Sequence, residues 1–306
     1  MNYKSTFETI LAYMPVRISS VLRMIPDASI KYITEIRLRV ERPLSIVMDN
    51  ELKFLSIDGK LISNANSGAV IVNEIDISEI FNSLCRYSIH SSKRELSQGF
   101  FTLDNGIRVG VAGEYSGDER TLKYINAINF RFAREILGCS EKIFNSIFCS
   151  GRHSVLICGT ANSGKTTILR DLCRLCSQRS KVTLIDERGE LAASVKGIPK
   201  FDIGLQTDLI INSGRALAIN DSIRTLSPHY IFCDEIGTAD DVDAILYGHG
   251  SGVKFVSTIH AGNYDELRER SFAAELIDNH VFEYAVFLCG ESFPGKISYI
   301  RRLSDD

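Results

Sequence analysis

The sequence predicts two domains: a smaller α+β domain, residues 1–137, and an α/β domain, residues 138–306, built on a mainly parallel sheet. The length of 306 residues corresponds to about two domains. From Ser154 onward, apolar runs of strand length alternate with segments of helical periodicity, which is the pattern of a parallel sheet covered by helices. The earlier part instead contains short alternating strands separated by turn residues.

The composition indicates a water-soluble globular protein, with 44% apolar and 24% charged residues. No apolar run approaches the ~18–20 residues that cross a bilayer, so we expect no transmembrane segment. The N-terminus lacks the regions of a signal peptide and the eight cysteines are scattered; both observations predict a cytoplasmic location. The net charge of −3 argues against a basic surface spread over the whole molecule, and we expect no nucleic-acid partner.

In the N-terminal domain, residues 1–26 carry one apolar helical stripe, and Pro15 favours the start of a second helix. We interpret the stripe as a face that packs on its own domain; the alternative is a surface that docks to a membrane-embedded partner. Residues 33–110 indicate short strands around one helix at 75–86, with Asp104-Asn105-Gly106 as a hairpin turn.

The C-terminal domain is predicted from alternating strands and helices. The expected core strands are 154–158, 182–185, 230–233 and 254–258, followed by two final strands at 284–288 and 297–301. The expected helices are 138–152, one after residue 164, 214–226, 239–247 and 264–277, and the segment 197–213 is expected to be mostly loop. This order places the carboxyl ends of the parallel strands at one sheet edge, where open α/β sheets bind ligands.

Residues 159–166 match the phosphate-binding pattern G-x-x-x-x-G-K-[ST], a Walker A motif, between a predicted strand and a predicted helix. Its glycines permit a backbone whose N–H groups converge on phosphate oxygens, and the helix start favours the same anion. Lys165 is expected to reach the β- and γ-phosphates of ATP. The alternative is a glycine-rich turn that contains Lys-Thr by chance. The predicted nucleotide-binding residues are Gly159, Thr160, Ala161, Asn162, Ser163, Gly164, Lys165, Thr166 and Thr167.

The strand at 230–233 ends in two carboxylates, Asp234 and Glu235. In phosphate-loop ATPases such a strand places an Asp near Mg²⁺, so the predicted metal residues are Asp234 and Thr166, whose hydroxyl would ligate the ion. Glu235 is predicted to accept a proton from the attacking water. The alternative is that the pair caps the next helix.

Two further strand ends are predicted to reach the same edge. His260 follows the strand at 254–258 and is expected to orient water or to sense the γ-phosphate, whereas Glu187 is equally compatible with a catalytic and a structural role. Phosphoryl transfer spreads negative charge that a guanidinium stabilises, although a single arginine is more often a surface ion-pair partner. The candidate arginines are Arg131, Arg134, Arg188, Arg215 and Arg224.

The pair Cys173-x-x-Cys176 has the spacing of a redox or zinc motif. A second pair at ligand spacing is missing from the sequence, and the motif falls on the helix after the phosphate-binding loop. We therefore interpret both cysteines as small apolar residues of that helix.

Taken in order, these segments resemble the stage III sporulation protein AA family, within the secretion-type ring ATPases of type II and type IV systems. The resemblance covers most of the chain, and the ordered set of motifs is far more specific than the phosphate-binding loop alone. The motifs lie at 35–39, 87–89 with 98–99, 108–113, 129–135, 159–166, 185–190, 223–228, 234–237 and 258–261.

The resemblance implies a RecA-like P-loop ATPase domain, with ATP and Mg²⁺ as ligands. It also implies a hexameric ring of this chain that works with membrane-embedded sporulation channel proteins between mother cell and forespore. The expected location is the mother-cell cytoplasm, peripherally at the membrane. The predicted catalytic set is Glu235, Lys165, His260, Glu187, Arg131 and Arg134.

Two alternatives remain open. One is a nucleic-acid motor that binds through the small domain; it requires a basic surface with interspersed aromatic residues, which the acidic balance disfavours. The other is a nucleotide-gated scaffold that binds ATP and scarcely hydrolyses it, against which the presence of Glu235 argues.

Overall fold

The computed structural model describes residues 3–48, 51–65, 68–86, 100–103, 107–116, 121–132 and 135–303. The chain divides into two compact units, Met1–Arg134 and Glu135–Asp306. The predicted turn at 104–106, the motif segments at 87–89 and 98–99, and Arg134 lie outside the described residues. Within the described ranges, no helix is both long and apolar enough to cross a membrane.

The first unit is an antiparallel sheet with helices packed on it. Its helices are α1 (Tyr3–Leu11), α2 (Val16–Leu22), α3 (Asp27–Ile30) and α4 (Glu74–Arg86). Its strands are β1 (Ile33–Arg39), β2 (Arg42–Pro43), β3 (Ser45–Met48), β4 (Glu51–Leu55), β5 (Leu61–Ile62), β6 (Ile71–Val72), β7 (Phe100–Thr102), β8 (Arg108–Ser116) and β9 (Thr121–Arg131). The described strands of the main sheet follow the order β5-β4-β3-β1-β9-β8-β7.

The apolar stripe predicted in residues 1–26 faces the core of this unit. Phe7, Ile10 and Ile18 are buried in the same apolar cluster as Ile36 of β1 and Phe130 of β9. The stripe therefore packs on its own domain, as we expected from the sequence. Burial of such an apolar stripe is what stabilises an amphipathic helix.

The second unit is an α/β layer structure. Its strands are β10 (Val155–Cys158), β11 (Val182–Asp186), β12 (Thr207–Ile211), β13 (Tyr230–Cys233), β14 (Lys254–Ile259), β15 (Tyr284–Leu288) and β16 (Ile297–Arg302). Its helices are α5 (Glu141–Ile143), continued by a π-helical turn Phe144–Phe148, α6 (Lys165–Cys176), α7 (Arg215–Leu226), α8 (Ala239–Gly250), α9 (Tyr264–Glu269) and α10 (Ser271–Asp278). In this part of the chain the sheet order is β12-β11-β13-β14-β10-β15-β16.

The order explains why a phosphate-binding loop can face several strand ends. The neighbouring strands from β12 to β15 pair in parallel, and only the β15–β16 pairing in this described sheet is antiparallel. β10 is fully buried between β14 and β15, so the loop after Cys158 emerges at the centre of the carboxyl edge. The predicted α/β class with a mainly parallel sheet is confirmed.

Three predicted elements differ from the structure. Residues 207–211, expected to be loop, form the edge strand β12, whose half-exposed sequence has no clear apolar alternation. The helix expected at 264–277 is two helices, because Arg270 has extended backbone angles (φ −83°, ψ 112°) between them. The helix expected at 138–152 is only a short α-helix and a π-helical turn, within residues 141–148.

Candidate functional site

The phosphate-binding loop lies between β10 and α6, and its second glycine begins the helix. Gly164 has φ +93°, a left-handed conformation that disfavours side chains. A Cβ at Gly164 would lie 2.7 Å from the backbone nitrogen of Gly295, in the turn between β15 and β16. Gly295 also donates its N–H to the Ser163 carbonyl oxygen at 2.8 Å. This turn therefore supports the loop from the side of β15.

The loop residues differ in exposure. Thr160, Ala161 and Asn162 are exposed at its tip, whereas Ser163 is fully buried. A Cβ at Gly159 would lie 2.3 Å from the Ser163 hydroxyl oxygen, so a larger residue here would force the Ser163 side chain to move. That hydroxyl is buried without a hydrogen-bond partner in the described structure. The loop is thus closely packed behind an exposed, polar tip.

Lys165 is buried at the start of α6. Its ammonium group donates to the carbonyl oxygens of Gly159 (3.0 Å) and Thr160 (2.7 Å), and lies 3.4 Å from Nδ1 of His260. Burial lowers the pKa of Lys165, and the nearby negative charges of Asp234 and Glu235 partly oppose this shift. The Lys165 amine therefore lies near the strand ends that carry both carboxylates.

Asp234 joins three elements of the site. The Thr166 hydroxyl donates to Asp234 Oδ2 at 2.8 Å, and the Thr258 hydroxyl donates to the other carboxylate oxygen. The Thr258 oxygen in turn accepts the backbone N–H of Glu235 at 2.9 Å. The ends of β13 and β14 and the start of α6 are thus hydrogen-bonded around one carboxylate.

Glu235 has a backbone φ of +54°, which is uncommon for a non-glycine residue. Its Oε2 pairs with Arg188 Nη1 at 2.9 Å, and its Oε1 lies 3.5 Å from His260 Nε2. Such strained positions cluster at functional sites, where surrounding contacts hold them. The geometry thus brings together Lys165, Thr166, Asp234, Glu235 and His260.

His260 bridges the ammonium and carboxylate groups. Burial is the largest cause that lowers the pKa of His260, and the positive charge of Lys165 lowers this pKa further. Since an ammonium group can only donate, Nδ1 is the accepting nitrogen and the neutral ring carries its proton on Nε2. The Nε2–H therefore lies on the side of the Glu235 carboxylate.

The loop after β11 is held by two buried charged residues. Asp186 accepts the backbone N–H groups of Glu190, Leu191 and Ala192 at 2.8, 3.1 and 2.8 Å. Arg170, on α6, donates to the carbonyl oxygens of Leu191 and Glu190, both at 2.6 Å, and stacks on Phe201. The phosphate-loop helix and the acidic loop are therefore tied directly to each other.

Glu187 lies at the start of this loop, next to a cavity of about 890 Å³. Its carboxylate pairs with Arg215 at 2.9 Å, and Arg215 also pairs with the buried Asp241 at 2.6 Å. Residues 159–166 do not line this cavity, whereas Glu235 and His260 do. The structure places Glu187 in an ion-pair group with Arg215 and Asp241, and its catalytic role remains a prediction.

The remaining predicted arginines lie elsewhere or are not described. Arg131 ends β9 in the first unit and lies 3.5 Å from Glu35, and Arg224 pairs with Asp221 on α7 at 2.6 Å. The structure says nothing about Arg134. Roles for Arg131 and Arg134 toward a nucleotide stay predictions.

Cys173 and Cys176 are buried in the apolar core beneath α6. Burial raises the pKa of the Cys173 thiol to about 12 and also raises the pKa of Cys176. Among the described residues, no group of three or more His, Cys, Asp or Glu could hold a metal ion. The packing role inferred from the sequence suits these positions.

Sequence reasoning missed Arg170 and Asp241. Asp241 had a local signal, because Thr238-x-x-Asp241 is the spacing of a capping box, which the structure contains. The sequence gives only a weak indication for Arg170. It is a charged residue on the same side of α6 as the buried Leu169 and Cys173. Its partners are about 20 residues away, so no local pattern indicates them.

Known proteins are similar to this chain in sequence, and others are similar to it in structure. Residues 4–303 match the family described as "Sporulation stage III, protein AA". Stage III sporulation protein AA of Bacillus subtilis (strain 168) is 30% identical over 296 residues, covering 94% of this chain and 92% of that protein.

Two solved structures share the fold over most of this chain. The Legionella pneumophila ATPase DotB superposes with a TM-score of 0.56 at 15% identity, covering 90% of this chain and 77% of that one. The pilus retraction motor PilT, solved with bound ADP, has a TM-score of 0.57 at 16% identity, covering 87% and 77%. The predicted fold class, an α/β fold on a mainly parallel sheet preceded by a smaller α+β part, is confirmed. The chain belongs to the sporulation stage III protein AA family.

Proposed function

We propose that this chain is a Mg²⁺-dependent ATPase whose nucleotide site lies in a domain formed by residues 138–306. The observation that supports the proposal best is the meeting of Lys165, Thr166 and Asp234 at one edge of a parallel sheet. A phosphate-binding loop and a carboxylate-ended strand are the two parts that ATP hydrolysis requires there. Glu235 and His260 lie at the same edge. Glu235 would act as the base, and His260 is a polar side chain next to it.

The donor groups suit a triphosphate and its metal. The Lys165 ammonium contacts two carbonyl oxygens and an imidazole nitrogen, neutral partners that phosphate oxygens would replace. The buried Ser163 hydroxyl has no partner in the described structure. Mg²⁺ prefers oxygen ligands and is usually held by one or two protein groups together with substrate phosphates, which matches the Thr166–Asp234 pair.

Bound Mg²⁺ would neutralise charge on the β- and γ-phosphates. In the proposed reaction, Thr166 and Asp234 would hold the ion, and Lys165 with the loop N–H groups would bind the phosphates. Glu235 accepts the proton of the attacking water, and the Nε2–H of His260 orients the Glu235 carboxylate. Arg131, Arg134 and Glu187 are further candidates for contact with the nucleotide.

We further propose that copies of the chain form a hexameric ring in the mother-cell cytoplasm, peripherally at the membrane. The ring would energise a transenvelope sporulation complex through membrane-embedded channel proteins. Membership of a sporulation family supports the setting. The fold shared with an ATPase and with a pilus retraction motor supports the coupling of hydrolysis to movement.

The direct test is ATP turnover by the purified chain with Mg²⁺ and with EDTA. We expect EDTA and Lys165→Ala to abolish turnover, and Lys165→Ala to weaken nucleotide binding as well. Glu235→Gln should bind ATP and slow turnover by about 10²–10⁴-fold, the usual contribution of a general base. Arg23→Ala, which breaks an exposed ion pair with Glu8 in the first unit, is the control.

Unchanged ATP affinity in Lys165→Ala would contradict the loop assignment. Wild-type turnover in Glu235→Gln would remove Glu235 from its role. Tight binding without turnover in the wild-type chain would favour the nucleotide-gated scaffold. Light scattering with and without ATP tests the ring, and a chain that stays monomeric at high concentration with ATP would contradict it.

A further inference from the structure

The Glu235 carboxylate is paired with Arg188 at one oxygen and has His260 beside the other. Arg188 Nη1 lies 2.9 Å from Oε2, and His260 Nε2 lies 3.5 Å from Oε1. The Arg188 and Glu235 side chains both line the cavity of about 890 Å³, which none of residues 159–166 borders. The ion pair thus holds the proposed base on the cavity side of the site.

The backbone that carries Arg188 is fixed even though its side chain is 64% exposed. Asp186 binds three N–H groups of the following residues, and Arg170 binds two of their carbonyl oxygens. Arg188 therefore precedes a backbone segment that is held by hydrogen bonds, and Arg170 connects this segment to α6.

A base that abstracts a proton from water needs an oxygen within hydrogen-bond reach of that water. A guanidinium bound to one carboxylate oxygen restricts the side chain and makes the carboxylate a weaker acceptor, because charge-assisted hydrogen bonds are strong. Glu235 in its pair with Arg188 is therefore poorly suited to the proton transfer that the proposed function assigns to it.

We propose that Arg188 is a positioning residue that holds Glu235 toward the cavity, and that Glu235 must leave Arg188 before it accepts the proton of the attacking water. The inference rests on the proposed ATPase function. His260 lies beside the other oxygen of Glu235, and its second ring nitrogen faces Lys165, which binds phosphate in the same proposal. Movement of Lys165 toward phosphate therefore changes the surroundings of the histidine next to Glu235.

The test compares Arg188→Ala and Arg188→Lys with the wild-type chain. Because exposed ion pairs are weak, we expect kcat for ATP to rise about two- to five-fold in Arg188→Ala, with the Kd for ATP unchanged. Arg188→Lys keeps the charge without the planar fork and should lie between the two. Arg23→Ala is the matched control, since its ion pair with Glu8 has a similar length, 2.8 Å, and similar exposure.

Two measurements separate this role from a general structural effect. In a Glu235→Gln background, Arg188→Ala should change kcat no further, because Arg188 acts through Glu235. Without any turnover, the guanidinium ¹⁵N NMR signal of Arg188, assigned by its loss in Arg188→Ala, should shift in Glu235→Gln and stay in place in Arg23→Ala.

A wild-type chain that hydrolyses ATP, with Arg188→Ala equal to it or slower, overturns the inference and leaves the proposed function standing. An Arg188 signal that is insensitive to Glu235→Gln overturns it as well. If wild type and Arg188→Ala both bind ATP and neither hydrolyses it, the proposed function and the inference fail together.

Discussion

Arg170 provides a sharp test of how the site is built. Its guanidinium is buried at 5% exposure and makes two short bonds, each 2.6 Å, to the carbonyl oxygens of Leu191 and Glu190. Arg170→Met keeps much of the volume and the contact with Phe201 but leaves both carbonyl oxygens without this donor. Hydrogen bonds to charged groups contribute about 1.5–3 kcal/mol each, so we expect the free energy of unfolding to fall by about 3–5 kcal/mol.

A loss of this size should lower the melting temperature of the second unit on the order of 10 °C, as expected for a domain of about 150–250 residues. Calorimetry measures this shift, and hydrogen exchange reports on the loop itself. The amides of Glu190, Leu191 and Ala192, which bond to Asp186, should exchange faster in the variant. ATP turnover should fall as well, because Arg170 ties this loop to α6, the helix that carries Lys165 and Thr166.

Arg179→Met is the control, because Arg179 is an exposed arginine just beyond the end of α6. Exposed substitutions of this kind usually change stability by no more than about 0.5 kcal/mol. If Arg170→Met lost less than about 1 kcal/mol, the two bonds would not hold the loop as argued. Unchanged exchange of the three loop amides would lead to the same conclusion.

Three further predictions follow from the same geometry. Gly164→Ala places a Cβ 2.7 Å from the Gly295 nitrogen in a left-handed backbone, so a fluorescent ATP analogue should bind at least tenfold more weakly; affinity within twofold of wild type would contradict the packing. The pKa of His260 is lowered by burial and by the charge of Lys165, so Lys165→Ala should raise this pKa toward its ordinary value in an NMR titration. A His260 titration midpoint equal to that of the wild type would contradict the contact between Lys165 and His260. Cys149 and Cys289 are the exposed thiols of the described chain and should react with a thiol reagent in the folded state, whereas rapid modification of deeply buried cysteines would contradict the core assignment.

Much of the site could be predicted because its signals are local. The phosphate-binding loop is eight consecutive residues, and Asp234 and Glu235 follow directly on an apolar strand. Parallel strands then bring their carboxyl ends to one edge, so Thr166 and Asp234 meet although 68 residues separate them. The edge strand at 207–211 was missed because a half-exposed edge strand does not need a continuous apolar pattern.

The sequence by itself determined the α/β class and predicted the phosphate-binding loop and the two carboxylates, since periodicity and adjacency along the chain carry that information. Only the tertiary structure decided that Arg188 pairs with Glu235 and that His260 lies beside it, that Arg170 ties the acidic loop to α6, and that Gly295 supports the phosphate-binding loop. These contacts join side chains and backbone groups that are distant in the chain. They also differ from one arginine to the next, although each arginine is a charged residue in the sequence. Which arginine becomes buried against a carbonyl oxygen, and which pairs with the base, depends on packing that no local pattern records.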